Sequence, residues 1–357
     1  MKMRALVVPF VALPLVALAC KEEPKSTSGP AASASATSSV SAAEVKLPPA
    51  PPIPATPVGL NELKAPEGNP MSAEKVWLGK QLFFDKRLSK DGTASCETCH
   101  LHEKGWTDGQ QFSTKVGGGP NTRNTPSLYN VGYQTSWYWD GRAPSLEKQI
   151  DAAWKGQMGA DPPSVAKTLA AIALYSAQFK KVFSADPSPD NIEQALGAYV
   201  RTLQSGNSPW DRYEKGDKTA ASADAVAGQA LFTGKAKCAL CHAPPLYYDT
   251  LFHNVGIGMD KAQPDLGRGK ISGDTKENGA FKTPGLRSVT KTGPYFHDGS
   301  EATLEGAVKL MVAGGKKNPN LDAKLTATKL TDKEVSQLIA FIQALDSAET
   351  LDRPALP

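Results

Sequence analysis

The stretch Cys96-Glu97-Thr98-Cys99-His100 decides how this chain is read, and it is written a second time as Cys238-Ala239-Leu240-Cys241-His242. Two thiols two residues apart, followed at once by a histidine, suit covalent attachment of a c-type haem. The thiols add to the porphyrin vinyl groups, and the histidine is left beside the axial position of the iron. A redox C-x-x-C or half of a zinc site makes no use of that histidine. The chain has 357 residues and five cysteines, of which the pentads take four. No disulfide framework remains. Two haem c groups are therefore expected, on Cys96 and Cys99 with His100 as iron ligand, and on Cys238 and Cys241 with His242.

The fifth cysteine, Cys20, follows a basic start (Met1–Arg4), an apolar run (Ala5–Leu18) and the small-residue end Ala17-Leu18-Ala19. This is an export signal, too short for a mature membrane span. Residues 1–19 are expected to be removed and Cys20 to carry lipid, although Ala17-Leu18-Ala19 also suits an ordinary signal peptidase. Either route takes the protein to the bacterial cell envelope, on the periplasmic side. Residues 20–60 are rich in Ser, Ala and Pro, a composition that cannot bury a core and reads as a disordered tether. The net charge is +4, part of it in the leader, with no dense Lys/Arg stripe, so nucleic acid is not implied.

Apolar spacing from Asn61 onward predicts helices at Ser72–Phe84, Ser145–Trp154, Val165–Phe183, Ile192–Leu203, Ser222–Phe232, Leu304–Val312 and Thr331–Leu345, the last with a Thr331/Glu334 capping box. No run reads as a strand. The fold class is mainly α, with two cytochrome c-like domains at 61–210 and 211–357 joined by a Gly206–Asp217 connector.

The second half echoes the first. Gly79-Lys80-Gln81-Leu82-Phe83 returns as Gly228-Gln229-Ala230-Leu231-Phe232, Thr125-Pro126 as Thr283-Pro284, Trp139-Asp140-Gly141 as His297-Asp298-Gly299, and Ser145-Leu146-Glu147 as Thr303-Leu304-Glu305. In this register Met311 stands where the first half has Ala153. Methionine is a known sixth ligand of c-type haem, and alanine ligates nothing. The second haem is thus expected to be closed by His242 and Met311, with Met259 as the rival ligand. The first keeps His100 and an open position able to bind peroxide or oxygen. Gln157, one turn beyond Ala153, should face that position.

Together with Arg123-Asn124-Thr125-Pro126, Gln157-Met158-Gly159 and Pro294-Tyr295-Phe296-His297-Asp298-Gly299, these motifs resemble the bacterial di-haem cytochrome c peroxidase family, which includes the MauG-like enzymes. The resemblance covers nearly all of the chain from Asn61. It implies hydrogen peroxide chemistry at the N-terminal haem and electrons arriving at the C-terminal haem from a small periplasmic cytochrome or copper protein. It also implies Trp139 as a bridge between the haems. A Ca2+ ion would be held by the Asn124 side chain and the carbonyls of Thr292 and Pro294. Family members are often homodimers.

Three departures matter. The loop Lys115–Pro120 has no histidine, where peroxidases of the family carry one that blocks the N-terminal haem until reduction. Gln157 stands where the family has a catalytic glutamate. An amide hydrogen-bonds but does not shuttle protons near neutral pH. Met311 replaces the tyrosine ligand of MauG. The leading expectation is a di-haem peroxidase. The alternatives are MauG-like oxidation of Trp or Tyr residues on a partner protein, and a non-catalytic di-haem electron carrier or sensor.

Overall fold

The computed structural model describes residues 45–357. The export signal, Cys20 and the first part of the tether lie outside the described residues. Ten α-helices and one two-stranded pairing make up the regular structure here, so the class is mainly α. Among the described residues no helix is long and apolar enough to cross a membrane.

The N-terminal half holds α1 (Ala73–Phe84), α2 (Leu146–Gly156), α3 (Pro162–Ala170), α4 (Ala173–Phe183) and α5 (Pro189–Val200). The C-terminal half holds α6 (Pro209–Glu214), α7 (Ala223–Thr233), α8 (Arg268–Ser272), α9 (Leu304–Val312) and α10 (Asp332–Gln343). Caps fix several starts. Ser72 accepts from the Lys75 N–H at 3.2 Å. Thr331 and Glu334 form the expected box, with the Glu334 carboxylate taking the Thr331 N–H at 2.8 Å. Each half has its own apolar core. One gathers Leu78, Leu82, Phe83, Trp106, Trp154, Leu196 and Tyr199. The other gathers Trp210, Phe232, Tyr247, Leu338, Phe341 and Leu345.

The repeat is physical. In each half a helix before the haem-binding turn crosses a later helix, α1 over α5 and α7 over α10. A glycine sits at each crossing. A Cβ on Gly79 would lie 1.8 Å from the Ala195 carbonyl oxygen, and one on Gly228 would lie 1.9 Å from that of Gln337. Only a residue without a side chain lets the backbones approach so far. The Trp-Asp-Gly segment and its echo also share a backbone. Trp137 bridges Ala143 as Tyr295 bridges Glu301. Tyr138 (φ 66°) and Phe296 (φ 70°) occupy the left-handed region alike.

The halves are tied at the connector. The Arg287 guanidinium meets both Asp211 oxygens at 2.8 Å, and both side chains are almost fully buried. Removing one partner alone would strand a buried charge, at a cost of about 3–5 kcal/mol. Beside this pair the hydroxyls of Ser205, Ser288 and Ser347 bond to one another at 2.9–3.0 Å. Arg287 also takes the Gly59 carbonyl at 3.1 Å, and the Asn207 N–H takes that of Val58 at 2.7 Å. The chain is thus held to the body a few residues before Asn61.

The structure corrects the sequence reading in four places. The run expected as one helix from Val165 to Phe183 is two, because Ile172 turns extended (φ −93°, ψ 110°) to pack on the first core. The Ile192–Leu203 helix is α5, which begins earlier, at Pro189, where Ser188 and Asn191 cap each other, and stops at Val200. The connector contains α6, started by a Ser208/Asp211 box with Pro209 in its first turn. Finally β1 (Phe252–His253) pairs antiparallel with β2 (Phe281–Lys282).

Gly228→Ala should lower the unfolding free energy by about 1–3 kcal/mol, since overpacking against a rigid backbone cannot relax cheaply. Urea unfolding followed by circular dichroism measures this, and an unchanged midpoint would mean that the crossing is looser than described.

Candidate haem sites

Each pentad folds into a tight turn that brings its three reactive side chains together. The first turn begins at Ser95, whose N–H donates to Thr98 Oγ1 at 3.0 Å. The His100 N–H closes on the Cys96 carbonyl at 3.1 Å, and the His242 N–H on that of Cys238 at 2.9 Å. The imidazoles are then aimed from behind. His100 Nδ1 lies 2.7 Å from the Trp106 carbonyl, and His242 Nδ1 lies 2.9 Å from the Tyr247 carbonyl. A carbonyl only accepts, so Nδ1 carries the proton and the Nε2 lone pair is free for a metal. Trp106 (φ 62°) and Tyr247 (φ 57°) both take left-handed backbone to present that carbonyl. Burial depresses the pKa of both histidines, which keeps them neutral as ligation requires.

Burial pushes the Cys96 thiol up to about 12 and the Cys238 thiol to about 11. Each turn thus offers two thiols and an imidazole with a free Nε2, the donor set that a haem c takes.

Cys96, Cys99 and His100 open onto a cavity of about 1100 Å³ that also reaches residues of the second half. One face of α2 lines it as well. Leu146, Ile150, Ala153 and Gln157 recur at helical spacing and all line it. Trp154 fixes that helix by donating its indole N–H to the Leu88 carbonyl at 2.7 Å. Gln157 caps α2, its N–H bonded to the Ala153 carbonyl at 2.8 Å. Its side-chain Oε1 is buried without a hydrogen-bond partner. The loop that lacks a histidine folds behind it, with the Val116 N–H on the Gln157 carbonyl at 2.9 Å.

Trp139 is pinned from both halves. Its indole N–H donates to the Asn124 carbonyl at 2.9 Å, and its own carbonyl accepts from the Lys282 N–H at 2.8 Å. Asn124, Thr292 and Pro294 line the same cavity. The Asn124 amide nitrogen is spent on the Gln110 carbonyl at 2.8 Å. Its Oδ1 and the carbonyls of Thr292 and Pro294 take no hydrogen bond among the described residues, which suits an oxygen-only cation site.

In the second half, α9 packs through Val308 and Val312 on the core that also receives Cys238, and carries Met311 half-buried. The sulfur of its rival Met259 is taken up in packing, where a Cβ on Gly279 would meet it at 2.4 Å.

Some residues had no assigned role in the sequence reading. Arg123 grips Asp140 and Asp265, each at 2.6 Å, across the cavity wall. Asp265, 142 positions away, lies in a loop with no motif. Lys282 lines the cavity, and burial lowers its pKa to about 7. Cys241, Asp249 and His253 come within 4.8 Å like a metal site. However, both His253 nitrogens are occupied, Nε2 by Asp249 at 2.8 Å and Nδ1 by Asp322 at 2.5 Å. The Cys241 thiol and the two carboxylates raise its pKa to about 10. With a carboxylate on each ring nitrogen, His253 has no lone pair to offer a metal.

The profile of the di-haem cytochrome c peroxidase family matches residues 73–219. The methylamine utilization protein MauG of Methylorubrum extorquens is 40% identical over 82% of this chain and 84% of its own length. The cytochrome-c peroxidase IdrP1 of Denitromonas iodatirespirans is 38% identical over 89% and 92%. A crystal structure of a MauG-like protein associated with microbial copper homeostasis superposes with a TM-score of 0.74 at 31% identity, covering 83% of this chain and 94% of that one. The chain belongs to the di-haem cytochrome c peroxidase and MauG-like family.

Proposed function

We propose that the protein reduces hydrogen peroxide at the haem held by Cys96, Cys99 and His100, with electrons delivered through a second haem held by Cys238, Cys241, His242 and Met311. The observation that carries this reading is the α2 wall of the cavity, where Ala153 leaves room and the unpartnered Gln157 amide faces in. A c-type haem held there would supply peroxide binding and storage of oxidising equivalents.

The residues do the rest. His100, fixed by Trp106, presents Nε2 in one orientation. The Gln157 amide, lining the cavity with Oε1 unpartnered, would hydrogen-bond a peroxide entering there, but it cannot carry a proton from one peroxide oxygen to the other. Asp140 and Asp265 are the only carboxylates among the described residues lining the cavity, and Arg123 holds both. No carboxylate on the cavity wall is left free to move protons, which makes this a slower peroxidase than one with a free carboxylate. Trp139, tied to Asn124 on one side and Lys282 on the other, is the rigid aromatic bridge for electrons between the halves. Asn124, Thr292 and Pro294 would hold a structural Ca2+ beside it. The electron donor is a small cytochrome or copper protein of the periplasm, where lipid on Cys20 tethers the enzyme.

A second reading, oxidation of Trp or Tyr residues on a partner protein, draws on the histidine-free loop at Lys115–Gly119 and on the MauG relative. Modification of a co-purified partner, read by mass spectrometry after peroxide, separates it from turnover with a reduced small cytochrome.

Gln157→Glu should speed the first spectral change with peroxide by roughly 10²-fold, the lower range of general acid–base catalysis. Stopped-flow absorbance checks this, and an equal rate would remove the amide as the limiting group. No response of the oxidised wild-type protein to peroxide would leave only the electron-carrier reading. Met311→Ala should abolish the low-spin His/Met spectrum and lower the potential of that haem, whereas Met259→Ala should leave both unchanged. Asn124→Ala should abolish binding of one Ca2+ in calorimetry, and unaltered binding would dismiss the ion site.

A further inference from the structure

A second, smaller cavity of about 210 Å³ lies between α1 and α4 and shares no lining residue with the large one. Two of its lining residues carry a buried polar atom that finds no hydrogen-bond partner among the described residues, Trp77 its indole N–H and Gln178 its Oε1. Gln178 is 6% exposed. Its amide cannot be turned to hide the vacancy. The Ala355 carbonyl only accepts, so Gln81 must present Nε2 to it, at 3.0 Å. Gln81 Oε1 then accepts from Gln178 Nε2 at 2.7 Å, and Gln178 Oε1 is the end left over. Pro48 and Pro49, from the segment before α1, line the same cavity. Having no N–H, they cannot donate to that oxygen.

Two charges complete the lining. Glu74 lies one helical turn from Trp77 on α1, and Lys181 one turn from Gln178 on α4. Both are exposed, and neither reaches an opposite charge among the described residues. The cavity thus holds two acceptors, the Glu74 carboxylate and Gln178 Oε1, and two donors, the Trp77 indole N–H and the Lys181 ammonium. We propose that it binds a small α-amino acid as its zwitterion. The ligand's ammonium donates to Gln178 Oε1 and the Glu74 carboxylate. The ligand's carboxylate accepts from the Trp77 indole and Lys181. An ion of one sign leaves one of the two buried atoms empty, which is costly. A neutral amide meets both but leaves the charged pair unused. The volume falls below the about 300–1,000 Å³ of sites for drug-sized molecules, so the amino acid's own side chain must be small. This site is separate from the peroxide chemistry proposed above and does not rest on it.

The test is isothermal titration calorimetry of the holoprotein with glycine, alanine and serine, and with acetate, ethylammonium and acetamide for comparison. Saturable binding of at least one of the amino acids at one site per chain is expected, tighter than that of any of the three comparison compounds. Trp77→Phe keeps the ring and loses the N–H, and Gln178→Leu removes the buried acceptor. Each should weaken binding roughly tenfold, the worth of one hydrogen bond. The haem spectrum and the thermal midpoint without ligand check the fold of each variant, and if Gln178→Leu unfolds, Trp77→Phe decides alone. Three results overturn the site: no saturable heat with any of the amino acids, acetate, ethylammonium or acetamide bound as tightly, or wild-type affinity in either folded variant.

Discussion

The structure depends first on a hydrogen bond between a histidine and a backbone carbonyl, made once in each half. Without the Trp106 and Tyr247 carbonyls, His100 and His242 could rotate or exchange tautomers, and neither would offer a fixed Nε2. The cost of those bonds is visible in the backbone, since a tryptophan and a tyrosine are both forced into the left-handed region to make them. The cores are what enforce that strain. Trp106 packs edge-on against Phe83 at 5.8 Å, and Tyr247 against Phe341 at 5.9 Å. Those aromatics stand on the helix crossings that Gly79 and Gly228 permit. Attachment turn, aromatic anchor and glycine crossing are one unit, built twice.

The two units have come to differ where chemistry would happen. Where the first half of the repeat has Ala153, the second has Met311. Near Ala153 an amide replaces the carboxylate expected of a fast peroxidase, and Arg123 removes the two nearby aspartates from service. Trp139 lies where the halves meet, bonded to Asn124 and Lys282. Relatives at 40% and 38% identity bear two different names, a MauG and a cytochrome-c peroxidase.

Much of this was legible in the residues. The pentads, the cap at Thr331 and the paired glycines are local signals whose physics does not depend on the rest of the fold. The α2 face was legible because Ala153 and Gln157 follow Leu146 and Ile150 at helical spacing. The break at Ile172 was not, because a run of good helix formers ends there only to suit the core. The two-residue pairing of β1 and β2 is too short for any alternation to announce it. The carbonyls that aim His100 and His242 belong to the backbone and leave no mark in the side chains. Arg123 and Asp265 are far apart in sequence, so only the folded chain brings them together.

The central claim is that two nearly identical haem-binding units carry one open and one closed iron. Low-temperature electron paramagnetic resonance of the fully oxidised holoprotein, without prior reduction, tests it most directly. The account predicts one high-spin ferric signal from the His100 site and one low-spin His/Met signal from the His242 site, in equal amounts. Two low-spin signals, or two high-spin signals, would contradict it.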